Sequence, residues 1–257
     1  MKFYFSGIAS KSEVAMLQAA GIQRVLVDPV DLKNIQGWEI ETALDSGAYR
    51  QFKKGVEIID FEDYMELWKT QPFAFVTDPD IIGDPVWSFA RWRLLKDWGI
   101  ANLLPVWTWG SDESMLHEML DEAPLVGIGG CVPWLRVDKR RDRDPADIKA
   151  DEERREQNFA YLKQLCQWHG DQFHVFGLCW ERAIEELADC LYSADSSHWL
   201  VGARKGAVIF KHSRSGRLSQ APARVLSFAR DWNREKRCIE NAKALADFLR
   251  EPYANSD

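Results

Sequence analysis

Short apolar runs alternate along the chain with longer amphipathic segments. The runs are too short to form helices, and they predict about eight buried strands. These strands are expected at residues 3–5, 25–27, 41–44, 73–76, 103–106, 125–128, 173–176 and 190–194. Between them, apolar positions at helical spacing predict helices at residues 12–20, 61–69, 86–98, 113–122, 151–168 and 182–189.

Helix starts are marked by side chains that cap a first turn. Asp60 and Asp112 precede two of the predicted helices, and Asp84 is followed by Pro85 at a first helical position. Eight strand and helix units in one chain of 257 residues predict an α/β fold, a single TIM (β/α)8 barrel. A doubly wound sheet would call for a glycine-rich phosphate loop after its first strand, and no such loop is present.

We therefore expect one catalytic domain over residues 1–257. Residues 133–151 form a charged insertion in this reading, residues 202–221 a basic loop, and residues 221–250 one or two C-terminal helices. With 46% hydrophobic and 28% charged residues the chain can bury a large core, which excludes disorder as its main state.

Charge and cysteine content exclude further classes. A formal net charge of -7 excludes a strongly basic nucleic-acid coat protein, although a local basic face remains compatible with it. Five cysteines without a CxxC pair predict neither a disulfide framework nor a thiolate zinc site, and no metal or other cofactor is expected. No apolar run is long enough to cross a bilayer and no signal peptide is recognised, so we expect a cytoplasmic protein without a membrane partner.

Carboxylates follow several of the predicted strands directly. Asp45 comes after the run that ends at Leu44, Asp78 after FAFVT, and Asp195 after LYSA. Strands of a barrel deliver such residues to one mouth, so Asp45 and Asp195 are expected to share a pocket. Two carboxylates are the minimum set for cleaving a glycosidic bond with retention. Each aspartate alone also fits a turn or a helix cap.

Four short motifs resemble those of a known family. LDSGAY is similar to the DSGG(F/Y) motif of the tRNA-guanine transglycosylases, and VGIGGCV is similar to their glycine-rich base-binding loop. HVFGL resembles their H-x-M-G segment, and YSADSSHW the segment that bears their nucleophilic aspartate. The motifs stand in the family's order across residues 44–199. The likeness is closer to the compact branch that includes enzymes placing 7-deazaguanines in DNA.

This resemblance implies roles for individual residues. Asp195 falls on the nucleophile and Asp45 on the general acid/base. The base-binding positions that it implies are Tyr49, Asp78, Gly129, Gly130 and Phe176. The chain lacks the family's CxCxxC zinc motif, and Trp107 and Trp109 stand where the family has a glutamine. Trp107, together with Trp109, Trp134 and Trp199, is a candidate for stacking on a base at the mouth.

A nucleic-acid partner is expected, DNA rather than tRNA, with the target nucleotide flipped out or single stranded. Cations that could track its phosphates are Arg204, Lys205, Lys211, Arg214 and Arg217, although solvated loops also carry such runs. The leading hypothesis is base exchange at a guanine-like nucleotide through a sugar ester of Asp195, with a free 7-deazaguanine base as the incoming group.

Three alternatives remain open at this stage. A DNA glycosylase that excises a modified base, for example from phage DNA, would leave an abasic site with the same two aspartates. A barrel that binds nucleic acid or a nucleobase without catalysis would have no use for paired carboxylates. An unrelated TIM-barrel hydrolase of a small sugar would have no use for the basic runs.

Overall fold

A computed structural model describes residues 1–55, 59–100, 102–138 and 143–250. Within these residues nine parallel strands form one sheet in the order β5-β4-β3-β2-β1-β9-β8-β7-β6. The strands are β1 (Lys2–Phe5), β2 (Arg24–Val27), β3 (Glu41–Leu44), β4 (Val76–Thr77), β5 (Leu103–Leu104), β6 (Val106–Thr108), β7 (Val126–Gly129), β8 (Phe173–Val175) and β9 (Ser193–Ser196).

The two edges of this sheet meet at Pro105. Strands β5 and β6 stand at opposite ends of the strand order, yet in the chain only Pro105 separates them. Proline has no N–H for the ladder, which interrupts the strand there, while its carbonyl accepts from the Gly127 N–H at 2.8 Å. The sheet therefore curls into a nearly closed barrel with helices between its strands, and the prediction of a TIM-like α/β barrel is confirmed.

Helices cover the outside of the barrel. They are α1 (Lys11–Ala19), α2 (Ala48–Lys54), α3 (Phe61–Trp68), α4 (Pro85–Asp97), α5 (Glu113–Glu122), α6 (Val132–Leu135), α7 (Pro145–His169), α8 (Glu181–Leu187), α9 (His198–Arg204) and α10 (Arg234–Arg250). Asp60, Asp84 and Asp112 cap α3, α4 and α5 as predicted, each accepting a backbone N–H of the first turn. In the described part of the chain, no helix is long and apolar enough to span a bilayer.

Two cores follow from the alternation of side chains along the strands. The larger core lies between sheet and helices, whereas the smaller one fills the barrel. The smaller core consists of Tyr4, Leu26, Ala43, Phe75 and Leu104. Because Leu26 and Ala43 face inward, the residues two positions further along each strand face inward as well, at the carboxyl ends of the strands. That end of the barrel is called the mouth below.

The prediction of a basic loop at residues 202–221 is wrong. These residues include the end of α9 and an antiparallel hairpin of β10 (Ala207–Lys211) and β11 (Leu218–Pro222). The buried Asn241 on α10 holds the hairpin in place, because its Oδ1 accepts the Ile209 N–H at 2.7 Å. Its Nδ2 also donates to the Trp199 carbonyl at 3.1 Å.

The boundaries of the charged insertion also change. Residues 133–135 belong to α6, and α7 begins at Pro145, where the Asp144 side chain accepts the Ala146 N–H. Aspartate followed by proline is a strong helix start, so residues 145–151 extend the helix predicted at residues 151–168 and do not belong to the insertion. Residues 139–142 of the basic run lie outside the described residues.

Candidate active site

Asp45 and Asp195 enter the same mouth from β3 and β9. Burial first, and then the negative charges of Asp195, Asp80 and Asp28 in that order, raise the pKa of Asp45 to about 7. The Gly47 N–H, 3.3 Å from Asp45 Oδ1, opposes this shift by donating to the carboxylate. Near neutral pH Asp45 therefore exchanges its proton readily, beside a second carboxylate.

Asp195 is held more firmly than Asp45. It is 5% exposed, and its Oδ1 accepts the Gly177 N–H at 2.8 Å. Gly177 has a positive φ of 69°, and a Cβ there would lie 2.8 Å from Val132 Cγ2, so glycine is required to present this N–H. The Nε2 atom of His174 lies 3.6 Å from the same oxygen. One oxygen of Asp195 is thus held by the Gly177 N–H, which leaves the other available for chemistry.

Asp78 is buried at the end of β4 with neither carboxyl oxygen hydrogen bonded. Burial and the neighbouring Asp80 raise its pKa well above the ordinary value, against the smaller opposing effect of Arg91. The raised pKa favours the protonated form, and a protonated carboxyl is a donor and an acceptor at once. The Thr77 hydroxyl beside it also has no partner. Unsatisfied buried polar groups are costly, and a bound ligand can satisfy them.

Asp80 is a further titratable group of the mouth. The Ser46 hydroxyl donates to its Oδ1 at 3.0 Å. Burial raises the pKa of Asp80 to about 6, although the Ser46 hydrogen bond and the charge of Arg91 act in the opposite direction. Asp80 is therefore ionised at neutral pH and able to take up a proton only slightly below it.

The remaining base-binding candidates are distributed over three locations. Tyr49 on α2 is 62% exposed, with the Lys53 ammonium 5.2 Å from its ring centre. The Phe176 ring follows β8 and packs edge-on against His174, with 4.6 Å between ring centres. Gly129 ends β7, where a Cβ would lie 2.7 Å from Val106 Cγ1, and Gly130 has a positive φ of 73°.

Trp107 does not reach the mouth. It is 1% exposed in the core between sheet and helices, and its Nε1 donates to the Asp112 carbonyl at 3.1 Å. Trp199 is equally buried, and its Nε1 donates to the Ser6 carbonyl at 2.9 Å. Both tryptophans were expected in loops at the mouth. Instead, Trp107 lies in β6 and Trp199 in α9. Trp134 is 44% exposed, with Arg154 near its ring.

Several of the predicted phosphate-tracking cations are engaged in ion pairs. Arg204 contacts the buried Glu13 at 2.6 Å, and Arg217 contacts Glu185 at 3.3 Å. Lys205, Lys211 and Arg214 are exposed on the end of α9 and on the hairpin. Because Arg204 is already paired with Glu13, its guanidinium is not freely available to a phosphate.

Asp28 and Arg50 are residues of the mouth that sequence reasoning missed. Arg50 Nε lies 2.7 Å from Asp28 Oδ2, and its guanidinium also pairs with Asp31. Burial raises the pKa of Asp28 in spite of this partner. The signal was present in the sequence, because Asp28 follows the inward-facing Leu26 by two positions.

The described residues contain no group of three or more His, Cys, Asp or Glu side chains placed to hold a metal ion. All five cysteines are free, and burial raises the pKa of Cys131 to about 12, so this thiol beside the glycine loop stays protonated at neutral pH.

Comparisons with known proteins give little to set beside this geometry. No family model matches the chain, and no curated protein matches it. A solved structure described as "Native KDPGal structure" is similar over 98% of this chain and 95% of its own, at 13% identity and a TM-score of 0.47. A likeness at that level bears on neither the site nor the activity.

The expected membership in the tRNA-guanine transglycosylase family is wrong. No model of that family, or of any other family, matches the chain. The motifs that carried the resemblance are turns at strand ends. Asp45 accepts the N–H of Gly47, and Gly130 and Gly177 supply positive φ angles. Such turns suit a parallel barrel of any descent, so the roles of these residues rest on their geometry alone.

Proposed function

We propose that this chain is an enzyme that breaks a glycosidic bond with retention, with Asp195 as nucleophile and Asp45 as general acid/base. The carrying observation is the paired arrangement of the two carboxyls, in which the charge of Asp195 helps to raise the pKa of Asp45 to about 7. A carboxyl whose pKa is raised beside a second carboxylate is typical of a general acid in enzymes. The barrel mouth is where enzymes of this fold place such groups.

In the first step, protonated Asp45 gives its proton to the departing group. The electron pair of the C1′ bond leaves with that group, and the free Asp195 oxygen forms a bond to C1′, giving a sugar ester of the enzyme. In the second step, Asp45 takes a proton from the acceptor as the acceptor attacks C1′. The ester bond breaks and its electron pair returns to Asp195, which restores both side chains.

The leaving group in this proposal is a nucleobase. Asp78 is buried without a hydrogen-bond partner, and in its protonated form it presents one donor and one acceptor. Nucleobase edges carry matching donors and acceptors side by side. The exposed ring of Tyr49 near the mouth adds a stacking surface, for which Phe176 is the opposite candidate wall. The base would have to leave its stack to reach Asp45 and Asp195.

The nucleotide is proposed to lie in DNA. The described residues form one barrel with a single added hairpin. Exposed Lys205, Lys211 and Arg214 supply cations for the flanking phosphates. Base exchange is the leading form of the reaction, with a free base as the acceptor in the second step.

Excision of the base is the second candidate, and Asp80 favours it. Its pKa of about 6 makes it a carboxylate at neutral pH, close enough to Asp45 for its charge to affect that residue. A second base beside the acid suits activation of a water molecule as acceptor. Water attack at C1′ would leave an abasic site.

The test is incubation of the protein with modified and unmodified DNA and with bulk tRNA, in the presence and absence of free purine and 7-deazapurine bases. Released bases, incorporated bases and abasic sites are quantified by mass spectrometry. Asp195→Asn is expected to abolish release, whereas Asp171→Asn, at an exposed aspartate before β8, is the matched control and keeps full activity.

Each outcome of this assay has a separate meaning. Release that depends on a free base, with that base found in the polymer, supports exchange. Release with abasic sites supports excision. If no base is released from any polymer, or if Asp195→Asn releases as much as the control, the proposal is wrong.

A further inference from the structure

His174 is fully buried inside the barrel, directly below the carboxyl of Asp195. Its ring lies among the rings of Tyr4, Phe75 and Phe176, with centroid distances of 6.0, 4.8 and 4.6 Å. Its Nδ1 is 2.9 Å from the Ser193 hydroxyl, a contact that the strand register brings about because His174 and Ser193 are paired across β8 and β9. Its Nε2 has no hydrogen-bond partner.

The hydrogen bond with Ser193 decides where the imidazole carries its proton. Ser193 is fully buried, and His174 Nδ1 is the acceptor within reach of its hydroxyl. If Nδ1 carried the proton, the hydroxyl hydrogen would be left without an acceptor in the core, at a cost of about 1–3 kcal/mol. Ser193 therefore donates to Nδ1, and the ring proton of a neutral His174 is on Nε2.

The acceptor nearest to this Nε2–H is Asp195 Oδ1. The distance from His174 Nε2 to this oxygen is 3.6 Å, too far for a hydrogen bond, and the same oxygen accepts the Gly177 N–H. Contacts of this kind are often long in the free enzyme and shorten when substrate is bound. A closer approach of a few tenths of an ångström would satisfy the unpaired nitrogen, which has no other role in the core.

We propose that His174 is a positioning residue for Asp195, which donates its Nε2–H to Oδ1 and, with Gly177, stabilises the carboxylate when it leaves C1′. The inference rests on the proposed function, because it assigns a role within the second step of that reaction. Both donors hold the oxygen that does not attack. They direct the other oxygen towards the sugar, and they favour breakage of the ester bond, in which Asp195 regains its negative charge.

The first measurement is independent of activity. Nitrogen NMR of histidine-labelled protein reports which ring nitrogen of His174 carries the proton, and the His174 signals are those missing from the His174→Phe spectrum. The expected result is the Nε2–H tautomer in the wild type and a shift of population towards Nδ1–H in Ser193→Ala, which removes the hydroxyl donor. A wild-type ring protonated on Nδ1 overturns the inference, whatever the enzyme does.

The second measurement is the lifetime of the sugar ester, followed by rapid-quench mass spectrometry of the intact protein. His174→Phe fits a cage of aromatic rings and removes the donor, so the ester should last on the order of 10- to 100-fold longer. His174→Gln places an amide N–H near the position of Nε2 and should restore most of the wild-type rate. KM should fall together with kcat as breakdown of the ester becomes rate-limiting, whereas kcat/KM should change little, since His174 does not contact substrate. Thermal unfolding of each variant checks that the fold is retained.

These readouts separate the two proposals. If the ester forms but has the same lifetime in wild type and in a folded His174→Phe variant, the role of His174 is refuted and the proposed function stands. If both His174→Phe and His174→Gln extend the lifetime equally, packing and not donation is responsible, and the inference is again wrong. If no ester or base release is seen in the wild type, the proposed function fails, while the tautomer still decides the arrangement of Ser193 and His174.

Discussion

The charge of Asp195 on β9 reaches Asp45 at the end of β3 and helps to raise the pKa of Asp45 to about 7. The two residues are far apart in the chain, and three steps along the sheet, through β2 and β1, connect their strands. Only closure of the sheet around a common interior brings their side chains together. The pair therefore couples the architecture of the barrel to an acid that is active near neutral pH.

The raised pKa of Asp45 predicts a pH-dependent stability. Asp45 binds its proton more tightly in the folded state than in the unfolded state, where its pKa is near 3.8. The contribution of Asp45 to folding is therefore full below about pH 4 and is lost as pH rises to about 7. Because asparagine stays neutral, Asp45→Asn should raise the free energy of unfolding at pH 8 by about 2–4 kcal/mol more than at pH 4.

Urea unfolding of wild type and variant at both pH values measures this difference. The matched control is Asp171→Asn, which removes an exposed aspartate away from the mouth and should change stability equally at the two pH values. An equal effect of Asp45→Asn at both pH values would show that Asp45 is not held as a weak acid.

Arg50 is predicted to balance the negative charge of the mouth. It pairs with Asp28 and Asp31, and Asp28 in turn raises the pKa of Asp45. Arg50→Met should lower the free energy of unfolding by about 2 kcal/mol at neutral pH, because it leaves buried carboxylates without a counter-charge. At acid pH, where Asp28 is protonated, the loss should be smaller.

Equilibrium unfolding against pH tests this expectation beside Arg93→Met. Arg93 is 58% exposed and pairs with Glu118 at the surface, so its loss should cost less than about 1 kcal/mol at any pH. Should the two variants lose the same stability at every pH, Arg50 has no special place in the mouth.

The fold and the central pair were accessible from sequence because both depend on short-range pattern. Apolar runs at strand length, Asp60, Asp84 and Asp112 at helix starts, and Asp45 directly after β3 are local signals that the structure keeps. Asp195 was expected directly after a strand at residues 190–194, but it lies within β9. Once eight strands are accepted, the barrel itself places their carboxyl ends together. Asp45 and Asp195 then follow without knowledge of any contact.

Other features depend on which face a residue takes or on partners distant in sequence. Pro105 interrupts the alternation, so the inward or outward direction of Trp107 could not be read, and the side chain is in fact packed outside the sheet. The pairing of Arg50 with Asp28 joins a helix to a preceding strand end. The tautomer of His174 depends on the register of β8 with β9. None of these leaves a local pattern.

Gly127 is predicted to be required for the position of Phe176. A Cβ at this position would lie 2.6 Å from Phe176 Cε2 and 3.3 Å from Leu104 Cδ2. Gly127→Ala should therefore displace the ring and cost about 1–3 kcal/mol of stability. Gly202→Ala is the control, since a Cβ there meets the end of the exposed Gln220 side chain and alanine suits its helix. Thermal unfolding should rank the two variants, and equal midpoints would contradict the close packing at Gly127.

Asn241 should be the residue on which the hairpin depends. Its fully buried amide satisfies the Ile209 N–H and the Trp199 carbonyl, so Asn241→Ala leaves both unpaired and should cost about 2–4 kcal/mol. Asn34→Ala, at a partly exposed amide, should cost much less. Hydrogen exchange should show faster exchange at Ile209 in the first variant only. Protection that is unchanged there would mean that the strand is held by other contacts.

Exposed cations of the hairpin region are predicted to contact DNA phosphates. Arg204 is a poor probe, because its partner Glu13 is buried and a reversal of the charge of Arg204 would disturb folding.

The double variant Lys205→Glu with Arg214→Glu changes two exposed positions of the hairpin region. If each cation neutralises one phosphate, the slope of log affinity against log salt for a single strand should fall by about 1.4, at about 0.7 per phosphate. Fluorescence anisotropy with a short single-stranded DNA measures this slope, with Lys11→Glu and Lys33→Glu, two exposed sites elsewhere, as the matched control. A slope that falls equally in both double variants would reflect net charge alone, and the hairpin region would then not be the path of the DNA.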